Sequence, residues 1–288
     1  MEGTRLCFDI AGVNIALEGD RPFRVTGAFI PFLTDKAARF TARFTQTDCL
    51  PLPAGEPVYR GDCFTVYGFC PQERLFFTGQ AGDGSDYAYG LYHPDSRQAD
   101  IRYTDAGACH LNETGNAFFH IGWESMLLRE RRLILHACAV GTEFGSLLFS
   151  GVAGIGKSTQ GDLWRRYEGA SPINGDRPIL YRGEKGWLAC GSPYAGSSRW
   201  YEAVQAPIRA IVLLQQAKEN AIRRLSAAEA FRRLYAMLVV CDWDSSFTLQ
   251  TCDLTEQLAS EVPVYELACT PTRDAVNTLK EVLRHGDQ

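Results

Sequence analysis

Lysine is scarce in this 288-residue chain, which has only Lys36, Lys157, Lys185, Lys218 and Lys280 against twenty-four arginines. Basic charge is not in excess either: 34 Asp and Glu outweigh 29 Lys and Arg, giving a net charge of −5. A chain without a basic surplus has little to displace counterions from a phosphate backbone, which excludes nucleic acid as the expected partner. Ten cysteines are present (Cys7, Cys49, Cys63, Cys70, Cys109, Cys138, Cys190, Cys241, Cys252 and Cys269), yet none forms a C-x-x-C pair. That spacing disfavours a structural metal site or a disulfide framework and predicts buried free thiols in a reducing compartment. Long hydrophobic runs are missing too. No stretch approaches the roughly 18 uncharged apolar residues that span a bilayer. The start, Met1-Glu-Gly-Thr-Arg-Leu-Cys-Phe-Asp9, has no apolar h-region. The expectation is a cytoplasmic protein with no membrane partner.

What the chain does contain is apolar residue at 45% and charge at 22%, the composition of a folded globular protein. Residues 1–112 read as a β-rich domain. Short aromatic or β-branched runs at 5–10, 23–30, 40–47, 63–69, 74–78 and 87–92 alternate with turn clusters such as Pro51-Leu-Pro-Ala-Gly55 and Ala81-Gly-Asp-Gly-Ser85. An antiparallel sheet or half-barrel is expected there. The pattern changes at about Asn112, where a helix is predicted to run to about Arg131 on the apolar spacing of Phe118, Phe119, Ile121, Met126 and Leu127. Strands follow at 133–140 and 146–150 as a hairpin, then a helix at 157–167, and strands at 178–181, 187–190 and 208–214. Helices are predicted at 226–241, opened by the capping box Ser226-Ala-Ala-Glu229, and at 271–285, with Thr270 as N-cap and Pro271 at the first helical position. The fold class is α/β, α+β overall: a β-rich domain at 1–112 and a phosphate-loop domain with a mixed sheet at 113–288.

One segment carries chemistry. Gly151-Val152-Ala153-Gly154-Ile155-Gly156-Lys157-Ser158 matches G-x-x-x-x-G-K-[ST] in full, and Thr159 continues into the predicted helix. Glycines let consecutive N–H groups converge on phosphate oxygens, and the helix start adds its dipole. Lys157 would supply a point charge to the β- and γ-phosphates, and the Ser158 hydroxyl would ligate Mg²⁺. The expected ligand is therefore ATP or GTP with Mg²⁺. A second acidic group should lie near the loop, and Asp176, one helix further on, is the candidate metal residue.

These segments resemble the HPr kinase/phosphorylase family and its relatives with a phosphoenolpyruvate-carboxykinase-like nucleotide domain. The resemblance spans about residues 132–215. It is carried by Leu135-His-Ala-Cys-Ala-Val140, Leu148-Phe-Ser-Gly-Val-Ala-Gly-Ile-Gly-Lys-Ser-Thr159, Ile173-Asn-Gly-Asp-Arg177 and Gly191-Ser-Pro-Tyr-Ala-Gly196. In that family a histidine-containing strand precedes the loop and an Asp-Asp pair follows one helix later. The resemblance implies catalytic roles for His136, on the acceptor side, and for Asp176, at the metal. It also implies phosphorylation of a serine hydroxyl on a small protein or peptide, among relatives linked to modified-peptide biosynthesis. This chain departs at Gly175, where the family has the acid that serves as general base. Loss of that base need not abolish transfer, since positioning and charge neutralisation carry most of the rate, and His136 and Glu202 are the candidates to substitute.

Two other readings stand beside the kinase. Gly175 favours a nucleotide-binding accessory protein without transfer activity, and a small-molecule kinase fits the same loop. Gly191-Ser-Pro-Tyr-Ala-Gly-Ser-Ser-Arg199 reads either as a substrate-side loop or as ordinary surface. Arg199 and Arg209 are candidate phosphate contacts, and Arg223, Arg224, Arg232 and Arg233 read as a solvated face. Trp164 is expected to pack the loop helix against its neighbours. No motif encodes an oligomeric state.

Overall fold

The computed structural model describes residues 2–52, 55–61, 64–67, 75–80, 85–93 and 97–285. The chain divides into two compact units, Met1–Met126 and Leu127–Gln288. No helix among the described residues is long and apolar enough to cross a membrane.

The first unit holds strands β1 (Glu2–Ile10), β2 (Val13–Arg24), β3 (Phe40–Gln46), β4 (Pro57–Arg60), β5 (Phe64–Tyr67), β6 (Leu75–Gln80), β7 (Asp86–His93) and β8 (Gln98–Tyr103). Among the described residues they form one sheet in the order β1-β2-β3-β8-β7-β6-β5-β4. This sheet is mixed rather than purely antiparallel, because β3 runs parallel to both β2 and β8. Side chains alternate as the pleat requires: Phe40, Ala42 and Phe44 of β3 and Ala99, Ile101 and Tyr103 of β8 are buried. The strand expected at 23–30 ends at Arg24, and Gly27–Phe32 is a 3₁₀ helix whose Phe29 enters the core. Phe29 meets Phe8 and Phe118 at ring-centroid distances of 5.6 and 4.8 Å. Parts of the strands expected at 63–69 and 74–78, Cys63, Cys70 and most of the turn at 81–85 lie outside the described residues.

The single helix expected from Asn112 to Arg131 is two short ones, α2 (Thr114–His120) and α3 (Trp123–Arg129), and another, α1 (Asp105–Leu111), precedes them. Glu113 is extended (φ −91°, ψ 132°) and Gly122 is left-handed (φ +58°), so the backbone leaves helical geometry twice.

The second unit contains β9 (Leu133–Ile134), β10 (Ala137–Thr142), β11 (Gly145–Ser150), α4 (Lys157–Glu168), β12 (Ser171–Asn174), β13 (Ile179–Gly183), β14 (Gly186–Cys190) and β15 (Gln205–Gln216). It continues with β16 (Ala221–Arg224), α5 (Ala227–Tyr235), α6 (Ser245–Glu261), β17 (Val264–Cys269) and α7 (Arg273–His285). The strands run in the order β12-β10-β11-β15-β14-β13-β9, with β17 beside β15 and β16 beside β17. β11, β15 and β17 are mutually parallel, and β10–β11 is the expected hairpin. The strand expected at 133–140 breaks at His136, which leaves β9 and β10 at separate places in the sheet.

Both faces of this sheet are covered, which explains its near-continuous apolar strands. Ala137, Ala139, Leu148, Ile211 and Leu213 share one cluster with Leu234 of α5 and Phe247, Leu254 and Leu258 of α6. Their strand neighbours Cys138, Val140, Leu147, Phe149, Ala210 and Val212 share the other with Trp164 of α4 and Ala275, Val276 and Leu279 of α7. Ser226 and Glu229 form the expected capping box, although α5 stops at Tyr235 rather than 241. α7 starts at Arg273, so Thr270 is not its N-cap; the Thr270 hydroxyl instead meets Asn220 Oδ1 and Thr272 Oγ1.

The described cysteines are unpaired, but only Cys138, Cys190, Cys241 and Cys269 are buried, whereas Cys49 and Cys109 are exposed. Arg223, Arg224 and Arg232 are exposed, as a solvated face requires, and Arg233 is half-buried; Arg223 also pairs with Glu266 and Glu229, and Arg233 with Glu266.

Leu279 is fully buried between α7 and the sheet. Leu279→Ala should lower unfolding free energy by about 2–5 kcal/mol in a urea titration, since the lost side chain leaves a cavity as well as unburied transfer energy.

Candidate functional site

Three segments of the second unit end at one edge of the sheet. Ala137 pairs with Ser150 in the β10–β11 hairpin, so His136 and Gly151 leave the sheet side by side. The Ser150 hydroxyl donates to the His136 carbonyl at 2.8 Å and fastens the two exits together. β12 lies on the other side of β10, with Ala139 opposite Asn174, and the Asp176 carbonyl accepts from Ala137 N–H at 2.9 Å. Local sequence made these three turns; sheet register brought them together.

The loop between β11 and α4 has the backbone its glycines permit. Gly151, Gly154 and Gly156 adopt φ of +146°, +77° and +112°, which side chains would strain. No side chain caps the start of α4. The N–H groups of Ala153, Gly154 and Gly156 have no partner among the described residues. Lys157 is 9% exposed and folds back, donating from Nζ to the carbonyls of Gly151 (3.0 Å) and Val152 (3.3 Å). Burial lowers its pKa, and the main opposing influence is the negative charge of Asp176. Ser158 and Thr159 are exposed at the first turn, while Val152, at 60% exposure, stands at the loop's tip. Ile155 is half-buried against the α4–α7 side of the core.

Beside this loop stands a compact polar cluster. His136 is in a bend rather than a core strand, and its Nε2 lies 3.0 Å from Asp176 Oδ1 with both side chains partly exposed. Arg177 Nε sits 3.7 Å from Asp176 Oδ2. The backbone around His136 is fixed by His136 N–H donating to Met237 O at 2.9 Å. Burial pushes the Cys138 thiol up to about 12, so this neighbour stays a neutral packing group and not a nucleophile.

Asn174, missed in the sequence reading, organises the turn that carries Asp176. It is fully buried, and its Oδ1 accepts from the N–H groups of Asp176 (3.0 Å) and Arg177 (2.7 Å). Its Nδ2 donates to the Ser192 carbonyl (3.0 Å) and hydroxyl (3.2 Å), also buried. The run Asn-Gly-Asp signals such an Asx turn; the partner Ser192 has no sequence signal.

The loop 191–199 is pinned down rather than free. Gly175 N–H donates to Trp200 O (3.1 Å), Glu202 N–H to Ile173 O (3.3 Å), and Gly191 N–H to Val204 O (3.0 Å). Position 175 has no room for a side chain as a result: a Cβ there would fall 1.6 Å from Ser198 Oγ and 2.8 Å from the Ala195 carbonyl. Glycine at 175 is thus a packing requirement as well as the loss of an acid. Glu202 is exposed and reaches β12 through its backbone. Arg199 is exposed with φ +57°, whereas Arg209 Nη2 donates to Leu283 O and serves the fold. Trp164 is fully buried, with its ring centroid 6.5 Å from that of Phe149.

The loop's amides without partners among the described residues, its uncapped helix start and its folded-back lysine are groups that an anion would engage. Among the described residues no cluster of three or more His, Cys, Asp or Glu could cage a metal ion. Mg²⁺ does not require one, because it is held through one or two protein oxygens with phosphates and waters. Ser158 and Asp176 suit that role.

No family model matches the chain, and no curated protein matches it. Among solved structures, the HPr(Ser) kinase/phosphatase from Coxiella burnetii is similar at a TM-score of 0.32 and 13% identity, over 53% of this chain and 88% of that one. A score that low carries no weight for fold or activity.

Asn174→Ala should destabilise the second unit by at least about 1–3 kcal/mol, because the Asp176 and Arg177 amides and the Ser192 oxygens lose their buried partner. Denaturant unfolding followed by tryptophan fluorescence measures this; a change below that range would show that the amide does not hold the turn.

Proposed function

We propose that the chain binds a nucleoside triphosphate, ATP or GTP, with Mg²⁺ and transfers the terminal phosphoryl group to a hydroxyl. The acceptor proposed is a serine on a small protein or peptide. The observation that supports this most strongly is the loop itself: three amides without partners among the described residues, at an uncapped helix start, beside a buried lysine already lodged against loop carbonyls. Opposite stands the half-exposed His136–Asp176 pair, on the side from which an acceptor would arrive.

The roles follow from charge and reach. Loop amides from 151 to 156 bind the β-phosphate, and Lys157 exchanges its carbonyl partners for β- and γ-phosphate oxygens. Ser158, with Thr159 beside it, offers a hydroxyl to the metal. Ser158 and Asp176 would hold Mg²⁺, which would supply charge neutralisation for the transferring group; Arg177 lies beside Asp176, its Nε 3.7 Å from Oδ2. Because the transition state is loose, positioning and neutralisation carry most of the rate.

A second reading has its own support. Gly175 leaves one acid where the resemblance implies two, which suits a nucleotide-binding accessory protein that transfers nothing. Incubation with γ-labelled ATP, Mg²⁺ and candidate peptides separates the two. Labelled peptide supports the kinase; bound nucleotide with no transfer to any acceptor, water included, supports the accessory protein.

Lys157→Ala should weaken ATP or GTP binding at least about tenfold, equivalent to about 1.4 kcal/mol. Isothermal calorimetry with Mg²⁺ reads this directly. Unchanged affinity in the variant, or no binding heat from the parent chain with either nucleotide, would remove both readings.

A further inference from the structure

Helix α6 has two contrasting sides. Phe247, Thr251, Leu254, Thr255 and Leu258 are buried on one. Leu249, Cys252, Glu256 and Ser260 recur at steps of three and four residues, so they share the other. Between that stripe and α5 runs an open groove of about 720 Å³. Its walls include Ala228, Phe231 and Arg232 of α5 and Cys252, Glu256 and Ser260 of α6. The Phe231 ring is half-buried and stacks on Tyr235 at a centroid distance of 6.0 Å, which stiffens the α5 wall.

Beside this hole stands a knob. Leu249, one turn before Cys252, is 70% exposed, more than any other large apolar side chain described in the second unit. The groove has room for such a side chain together with the turn of helix that carries it.

The charges around the groove separate into two sets. Asp253 pairs with Arg131 at 3.2 Å, Glu261 with Arg182 at 2.7 Å, and Glu266 with Arg223 at 2.8 Å. Arg232 and Glu256, on opposite walls, are exposed and have neither an ion pair nor a hydrogen bond among the described residues. A wholly basic or wholly acidic partner would match one of these two charges and repel the other. An occupant that suits both must carry an acid and a base at the same separation.

We infer that the occupant is a second copy of this chain. A twofold axis sets residue i against j and j against i, so a face with one knob, one hole and one unpaired charge of each sign is complementary to itself. Leu249 of each copy enters the groove of the other, and Arg232 of each meets Glu256 of the other. The apolar contact supplies the attraction. The two ion pairs fix register and exclude partners of the wrong charge, since exposed pairs add little affinity of their own. The arrangement closes at two copies and is independent of the nucleotide reading.

Sedimentation of the full chain over a concentration series reaching about 0.1 mM reads the assembly state. The parent should form a dimer and nothing larger. Arg232→Glu and Glu256→Arg should each weaken that dimer at least about tenfold, because like charges then face one another at both contacts. Mixed in equal amounts, these two variants should associate with each other about as tightly as the parent does with itself, since one offers two acids and the other two bases. A recovery of that kind cannot arise within one chain, and it also shows that both variants are folded. Leu249→Ala should weaken the dimer about tenfold through lost apolar burial. A parent that stays monomeric throughout overturns the inference and leaves the groove to a different partner. Single reversals that dimerise as the parent does overturn it, as do a mixture that remains monomeric and an assembly that grows beyond two copies.

Discussion

The register of the β10–β11 hairpin is the constraint on which the second unit depends. Ala137 faces Ser150 across an antiparallel pair, so the chain entering the hairpin and the chain leaving it meet at one edge of the sheet. A slip of one residue would turn every side chain to the opposite face and separate His136 from the glycine loop. Such a slip is opposed by burial on both sides, since Ala137, Ala139 and Leu148 are committed to the α5–α6 cluster and Cys138, Val140, Leu147 and Phe149 to the α4–α7 cluster. The core thereby positions the polar groups that it excludes.

The edge so formed concentrates groups that the rest of the fold avoids. Amides without partners among the described residues, positive-φ backbone and a lysine with 9% exposure all lie within a few residues of one another. Such features are unfavourable in isolation and cluster at functional sites. The folded-back Lys157 satisfies its ammonium with two loop carbonyls, which keeps the cradle from collapsing onto an unpaired buried charge.

The turn at Asn174–Arg177 shows how a polar network can be rigid. Every polar atom of the buried Asn174 side chain is engaged, and its partner Ser192 links the turn to the loop 191–199. Fully satisfied buried networks fix geometry more sharply than apolar contacts do. Here the fixed object is Asp176, whose Oδ1 meets His136 while Oδ2 lies near Arg177.

The glycine loop, the helix after it, the hairpin and the capping box at Ser226 were legible because their signals are local: a motif, a two-residue period, a side chain reaching three residues on. α6 was not read from the sequence; it carries Ser245, Ser246, Thr248, Thr251, Thr255 and Ser260, and in the folded chain Thr251 and Thr255 turn their hydroxyls to the carbonyls four residues back. β17 was missed too, as a six-residue run whose strand character depends on lying beside β15. The parallel pairings of β3 and the break of a supposed long strand at His136 are likewise products of pairing between distant segments. The sequence by itself determined which backbone can wrap an anion, because glycine, lysine and serine act within eight residues. Only the tertiary structure decided that His136 meets Asp176 and that position 175 has no space for a side chain. Those are distances between segments, and nothing in the local order of residues encodes them.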